Sequence, residues 1–110
     1  MTRHTYDLYG SRVLSVEAMR MAVEPALEID FSWHESDYMG GDYLLFLGSF
    51  GEKFRIQRNE LVDEDGPFLF EPEFGEYVTL LSVDKVSDGD FYRLRLESVN
   101  GLEFLRREVI

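Results

Sequence analysis

The sequence contains no cysteine. That excludes a disulfide framework, a thiol nucleophile and zinc sites built from thiolates. Histidine is scarce, present only as His4 and His34, and there is no Gly-x-Ser-x-Gly elbow. Nucleophilic catalysis therefore has almost no candidate residues. No glycine-rich loop precedes a helix with a following lysine, so no phosphate cradle is formed. The segment Asp63–Pro67 (DEDGP) has the start of a calcium loop without its later ligands. No metal and no cofactor are expected, and an enzyme is the least favoured class. Long apolar runs are also missing. The longest, Tyr43–Leu47, is far too short to span a bilayer. The opening MTRHTYDLYG lacks the apolar run of a signal peptide. A cytoplasmic location without membrane contact is the expectation.

Positive charge is in short supply. Lys and Arg number 11 against 22 Asp and Glu, a net charge of −11. Such a surface repels phosphate backbones and anionic membranes, so nucleic acid is excluded as a partner and a basic protein is expected. The basic residues are also unevenly placed. None occurs from Met21 to Glu52, which holds Glu24, Glu28, Asp30, Glu35, Asp37, Asp42 and Glu52. None occurs from Asn59 to Asp84, which holds Glu60, Asp63, Glu64, Asp65, Glu71, Glu73, Glu76 and Asp84. A merely solvated surface would interleave its signs.

What is abundant is apolar and aromatic surface, 45% and 15% of the 110 residues, enough for one domain with a core. Thr5–Tyr9 reads as a first strand ended by Gly10. Ser15 is a natural N-cap, and Val16, Met19, Val23 and Ala26 form one helical stripe. Pro25 biases Glu24 out of the helical region, which places the helix end near there. Leu27, Ile29, Phe31 and Trp33 alternate with Glu28, Asp30, Ser32 and His34, the pattern of a half-buried strand. Leu44–Leu47 is apolar on both faces. In the next strand Phe54 and Ile56 point inward and Lys53, Arg55 and Gln57 outward, after a tight hairpin using Gly51. Residues 59–76 read as an irregular loop punctuated by Gly66, Pro67, Pro72 and Gly75, with Phe68, Phe70 and Phe74 pinning it to the core. Residues 77–83 (YVTLLSV) are a branched-residue strand.

Residues 87–99 fit two readings. A helix capped at Ser87 or Asp88 would bury Phe91, Leu94 and Val99 and end with Gly101 as a left-handed C′ residue. A strand would make Asn100-Gly101 a hairpin turn. Residues 16–31 overlay residues 91–106 without gaps as a weak internal echo, which favours the helix. Two strand–helix–strand units sharing a sheet give an α+β fold of split β-α-β, ferredoxin-like type, with an inserted antiparallel hairpin and two helices on one face.

The candidate site follows from the charge pattern. Glu35–Tyr43 (ESDYMGGDY) reads as a strand-to-strand turn that displays Glu35, Asp37, Tyr38 and Asp42, with Asp63, Glu64 and Asp65 as a second acidic display. The cysteine-free α+β layout, this turn and the ending Gly101–Glu108 (GLEFLRRE) resemble the small acidic immunity proteins that bacteria make beside polymorphic toxins. The resemblance implies a cytosolic protein that occludes a cognate toxin, often a basic nuclease, with no catalytic residues of its own; a monomer or homodimer is expected. The alternative is a small-ligand-binding domain using an open sheet face near Trp33, Tyr38, Tyr43 and Phe46.

Overall fold

The structure, a computed structural model, describes residues 3–36 and 41–110. In chain order the elements are β1 (Thr5–Ser11), α1 (Val16–Leu27), β2 (Ser32–Ser36), β3 (Gly41–Leu47), β4 (Lys53–Arg58), β5 (Glu60–Asp63), β6 (Gly66–Leu69), β7 (Thr79–Val86), α2 (Gly89–Leu96) and β8 (Glu103–Val109). Six strands form one sheet in the order β2-β3-β4-β7-β1-β8, and every neighbouring pair is antiparallel. The class is α+β. β7 and β8 flank β1 and are joined through α2, whereas β1 and β2, joined through α1, have three strands between them. That order is not clearly ferredoxin-like, because the β2–β3–β4 meander extends the sheet outward from β7 and separates the strands of the first unit.

Strand alternation divides the sheet into two faces. Tyr9, Leu44, Phe54, Ile56, Leu81 and Val83 meet Met19, Val23 and Leu27 of α1 and Leu96 of α2 in the main core. The helices share this face. Ser15 caps α1 by accepting the Ala18 N–H, as expected. The helix nevertheless runs through Pro25 to Leu27. The proline stands in its last turn, and burial of Leu27 favours continuing the helix. Glu28, at φ 57°, ends it in the left-handed cap conformation. Consequently the alternating residues 27–31 are not strand. Leu27 is helical, and the Phe31 N–H is taken by the Glu24 carboxylate at 2.8 Å.

Residues 89–96 are helical, with Asp88 as N-cap. The buried stripe differs in part from the expected one: Val99 is in the core as expected and Leu96 joins it, while Phe91 and Leu94 remain 47% and 71% exposed. The helix also stops before Gly101, whose positive φ of 85° serves the following turn. At its start Gly89 is required by close approach. A Cβ there would meet Thr5 and would stand 2.7 Å from the Arg107 guanidinium. That guanidinium makes paired contacts of 2.8 and 2.9 Å with Asp7, whose side chain is 0% exposed, and a third of 2.8 Å with Asp90 in the first turn of α2. One arginine thus ties β8, β1 and α2 together.

The other face is partly covered by an arm, residues 59–78. Where an irregular loop was expected, β5 and β6 pair as a hairpin with Gly66 at φ 109°, followed by a short 3-10 turn at Pro72–Phe74. Leu61 is buried, and Phe74 packs with Tyr77, Leu8, Leu80 and Leu105 in a second, smaller core. The arm explains why Gln57, expected to point outward to solvent, is buried.

Asn59 fixes the arm. Its amide donates to the carbonyls of Phe74 (2.8 Å) and Tyr77 (3.0 Å), and its side-chain oxygen accepts the Glu71 N–H at 2.9 Å. Its backbone pairs with Val78 and Phe70. Asn59→Ala would leave buried donors and acceptors unmet, so a loss of about 2–4 kcal/mol is expected by urea denaturation. Hydrogen exchange should show the Glu71 amide losing protection. A loss confined to a few tenths would mean the arm is held by its apolar contacts alone.

Candidate functional site

β2 is an edge strand, and the β2–β3 register sets its chemistry. Trp33 pairs with Leu44, and Glu35 pairs with Asp42. Leu44 belongs to the core, so Trp33, Glu35 and Asp42 lie on the helix-facing side. Trp33 is 51% exposed. Like charges directly opposite one another in a sheet are destabilising, and no cation pairs with Glu35 or Asp42 among the described residues. On the opposite side His34 stacks on Tyr43 at 5.7 Å and contacts the Ser32 hydroxyl at 3.2 Å. Asp37 and Tyr38 lie outside the described residues.

Asp63, Glu64 and Asp65 form the exposed tip of the β5–β6 hairpin. The Asp63 carboxylate accepts the Asp65 N–H at 2.8 Å, which shapes the turn. No described hydrogen bond or ion pair joins this tip to Glu35 and Asp42. The two displays stand as separate acidic positions.

The distribution of arginines sharpens the charge pattern. Arg106 pairs with Glu71, Glu73 and Glu108, and Arg12 with Glu76 and Glu103. Three of the eight acids of the second acid-only stretch, Glu71, Glu73 and Glu76, are thereby neutralised from distant parts of the chain. Glu60, Asp63, Glu64 and Asp65 have no such partner among the described residues. Sequence spacing could not separate these groups, because the partner arginines come from β8 and the segment after β1.

Two clefts flank these features. One, of about 500 Å³, lies between the start of α1 and the ends of the strands, and is lined by Trp33, Asp42, Arg58, Glu17, Val78 and Thr79. Arg58 was not among the expected site residues. Tyr43 and Phe46, expected beside Trp33, do not line it. The second, of about 200 Å³, lies between the arm and the sheet and includes Arg55, Phe70, Glu71, Ser82, Asp84 and Arg106. Burial holds the Asp84 carboxyl above the usual carboxylate range, with Arg55 and Lys53 opposing. Among the described residues, no three His, Asp or Glu side chains gather as a metal site. No helix is long and apolar enough to cross a membrane. Comparison with protein-family models, curated proteins and solved structures gave no match.

The raised Asp84 value has a defined pH consequence. The folded state holds this proton more tightly than the unfolded chain. The associated stability is complete below the unfolded value and is lost as pH rises through the folded one. Asp84→Asn should therefore be more stable than the parent at neutral pH, with the difference shrinking as pH falls toward the ordinary aspartate value of about 3.9. Urea midpoints measured across that range check it. A variant less stable than the parent at neutral pH would show that the ionised carboxylate is favourably paired.

Proposed function

We propose that this chain is an acidic protein-binding module that docks a basic protein, acting as an immunity-like inhibitor that occludes a basic toxin or nuclease in the bacterial cytoplasm. The observation behind this reading is the set of exposed carboxylates at Glu35, Asp42 and Asp63–Asp65 that form no ion pair among the described residues, Asp42 sharing only a cleft with Arg58, while Arg12, Arg20, Arg95, Arg106 and Arg107 are engaged elsewhere. Unpaired acids of this kind attract a basic surface at long range and fix its orientation. Inhibition by occlusion needs no catalytic group. The inferred fold remains a variant of the split β-α-β theme, with the meander as its extension.

A small-ligand reading is supported by the 500 Å³ cleft at Trp33. Its size suits a small ligand, and Trp33 offers an aromatic face among the polar groups of Glu17, Asp42, Arg58 and Thr79. The two readings separate by experiment. Affinity capture from native cells, followed by mass spectrometry, should return a basic protein. With that partner in hand, Glu35→Lys with Asp42→Lys, and Asp63→Lys with Glu64→Lys and Asp65→Lys, are measured by stopped-flow association. Each set should slow association by about tenfold or more at low salt and flatten its salt dependence, with circular dichroism unchanged. Unaltered association in both sets would remove the acidic displays from the interface.

A further inference from the structure

The end of the sheet opposite Glu35 and Asp42 has a different character. There the β3–β4 turn presents Phe50, which is 88% exposed. The backbone beneath it is firmly tied. The Gly48 N–H donates to the Glu52 carbonyl at 2.8 Å, and the Phe50 N–H donates to the Glu52 carboxylate at 2.8 Å. Gly51 takes φ 91°, and the Lys85 ammonium lies 3.3 Å from where a Cβ would stand. The ring is thus displayed on an ordered turn, which reduces the ordering cost of using it in an interface.

A cleft opens on each side of this ring. One, of about 300 Å³, is lined by Ile29, Phe46, Phe54, Phe91 and Tyr92 together with polar residues of the rim. The other, of about 280 Å³, adds Lys85, Val86 and Asp88. An exposed phenylalanine alone is ordinary, but one flanked by two aromatic-walled clefts marks an interaction surface.

We propose that this end of the sheet is a self-association surface, on which two copies of the chain meet about a two-fold axis and each Phe50 enters the aromatic cleft of the other. Two observations select a second copy as the occupant. The projecting ring and the receiving cleft are adjacent on one surface, the self-complementary arrangement that an isologous interface needs. The rim also holds both signs, Lys85 and Arg95 beside Glu28, Glu52 and Asp88. Two copies with a net charge of −11 repel through their acid-only surfaces but can face each other here. The seven residues of β3 place this surface about 20 Å from Asp42, so a dimer leaves the Glu35–Asp42 pair accessible. The inference does not rest on the basic-partner reading.

Sedimentation equilibrium of the full chain, from low micromolar to near-millimolar concentration, tests it. The parent should show a reversible monomer–dimer equilibrium. Phe50→Glu should weaken it by about tenfold or more, as expected for loss of an aromatic anchor. Because Phe50 is exposed, circular dichroism and the urea midpoint of Phe50→Glu should match the parent. A parent that stays monomeric throughout, or a folded Phe50→Glu that dimerises as the parent does, would overturn the proposal.

Discussion

The side chain of Asn59 governs how far this fold extends beyond a helix-backed sheet. It stands where β4 passes into the arm and satisfies backbone groups of Glu71, Phe74 and Tyr77, 12 to 18 residues away. Without that amide, the chain from residue 59 to 78 would have to satisfy buried polar groups with water while keeping Leu61 and Phe74 in place. With it, the arm becomes a second layer over Leu8 and Leu80 and carries Asp63–Asp65 outward. The acidic tip is therefore a product of a buried polar network.

The charge economy follows from the same topology. β8 ends the chain but lies beside β1, and it brings Arg106 and Arg107 to opposite faces. Arg107 sits over fully buried Asp7, and removing either partner would strand a charge in a poor solvent. Arg106 binds the base of the arm through Glu71 and Glu73. These arginines are committed to architecture. The acids at Glu35, Asp42 and the β5–β6 tip receive none of them. Phe50 projects from another hairpin, at the far end of β3, in mixed-charge surroundings.

Local pattern revealed most elements. The Ser15 cap, the Met19–Val23 stripe, the alternation of β4 and the Gly51 turn are all readable within a few residues. The errors came where distant burial outweighed local preference. Pro25 stayed helical because Leu27 is buried, and the alternation at residues 27–31 was broken by the helix cap and by the Glu24 carboxylate. Spacing alone places the side chains of Phe91 and Leu94 in the core, but α2 is oriented by Leu96 and by the Asp7–Arg107–Asp90 contacts. Of the site, hairpin connections near Glu35, Asp42 and Asp63–Asp65 were legible, but Glu35 and Asp42 stand in the paired strands β2 and β3 and Asp63 ends β5, so only Glu64 and Asp65 lie in a turn. The cross-strand pairing of Glu35 with Asp42, the neutralisation of Glu71 and Glu73, and the cleft with Arg58 depend on register and topology, which no local pattern contains.

The central claim is that Glu35 and Asp42 are held opposite one another for a partner, at a cost to the fold. Its most direct test needs no partner: the stability of Glu35→Gln combined with Asp42→Asn, by urea denaturation at neutral pH and low salt. Relief of the repulsion should raise stability by about 0.2–1 kcal/mol, with the gain fading at high salt. A variant less stable than the parent by a similar amount would show that the carboxylates serve the fold itself, and would contradict the claim.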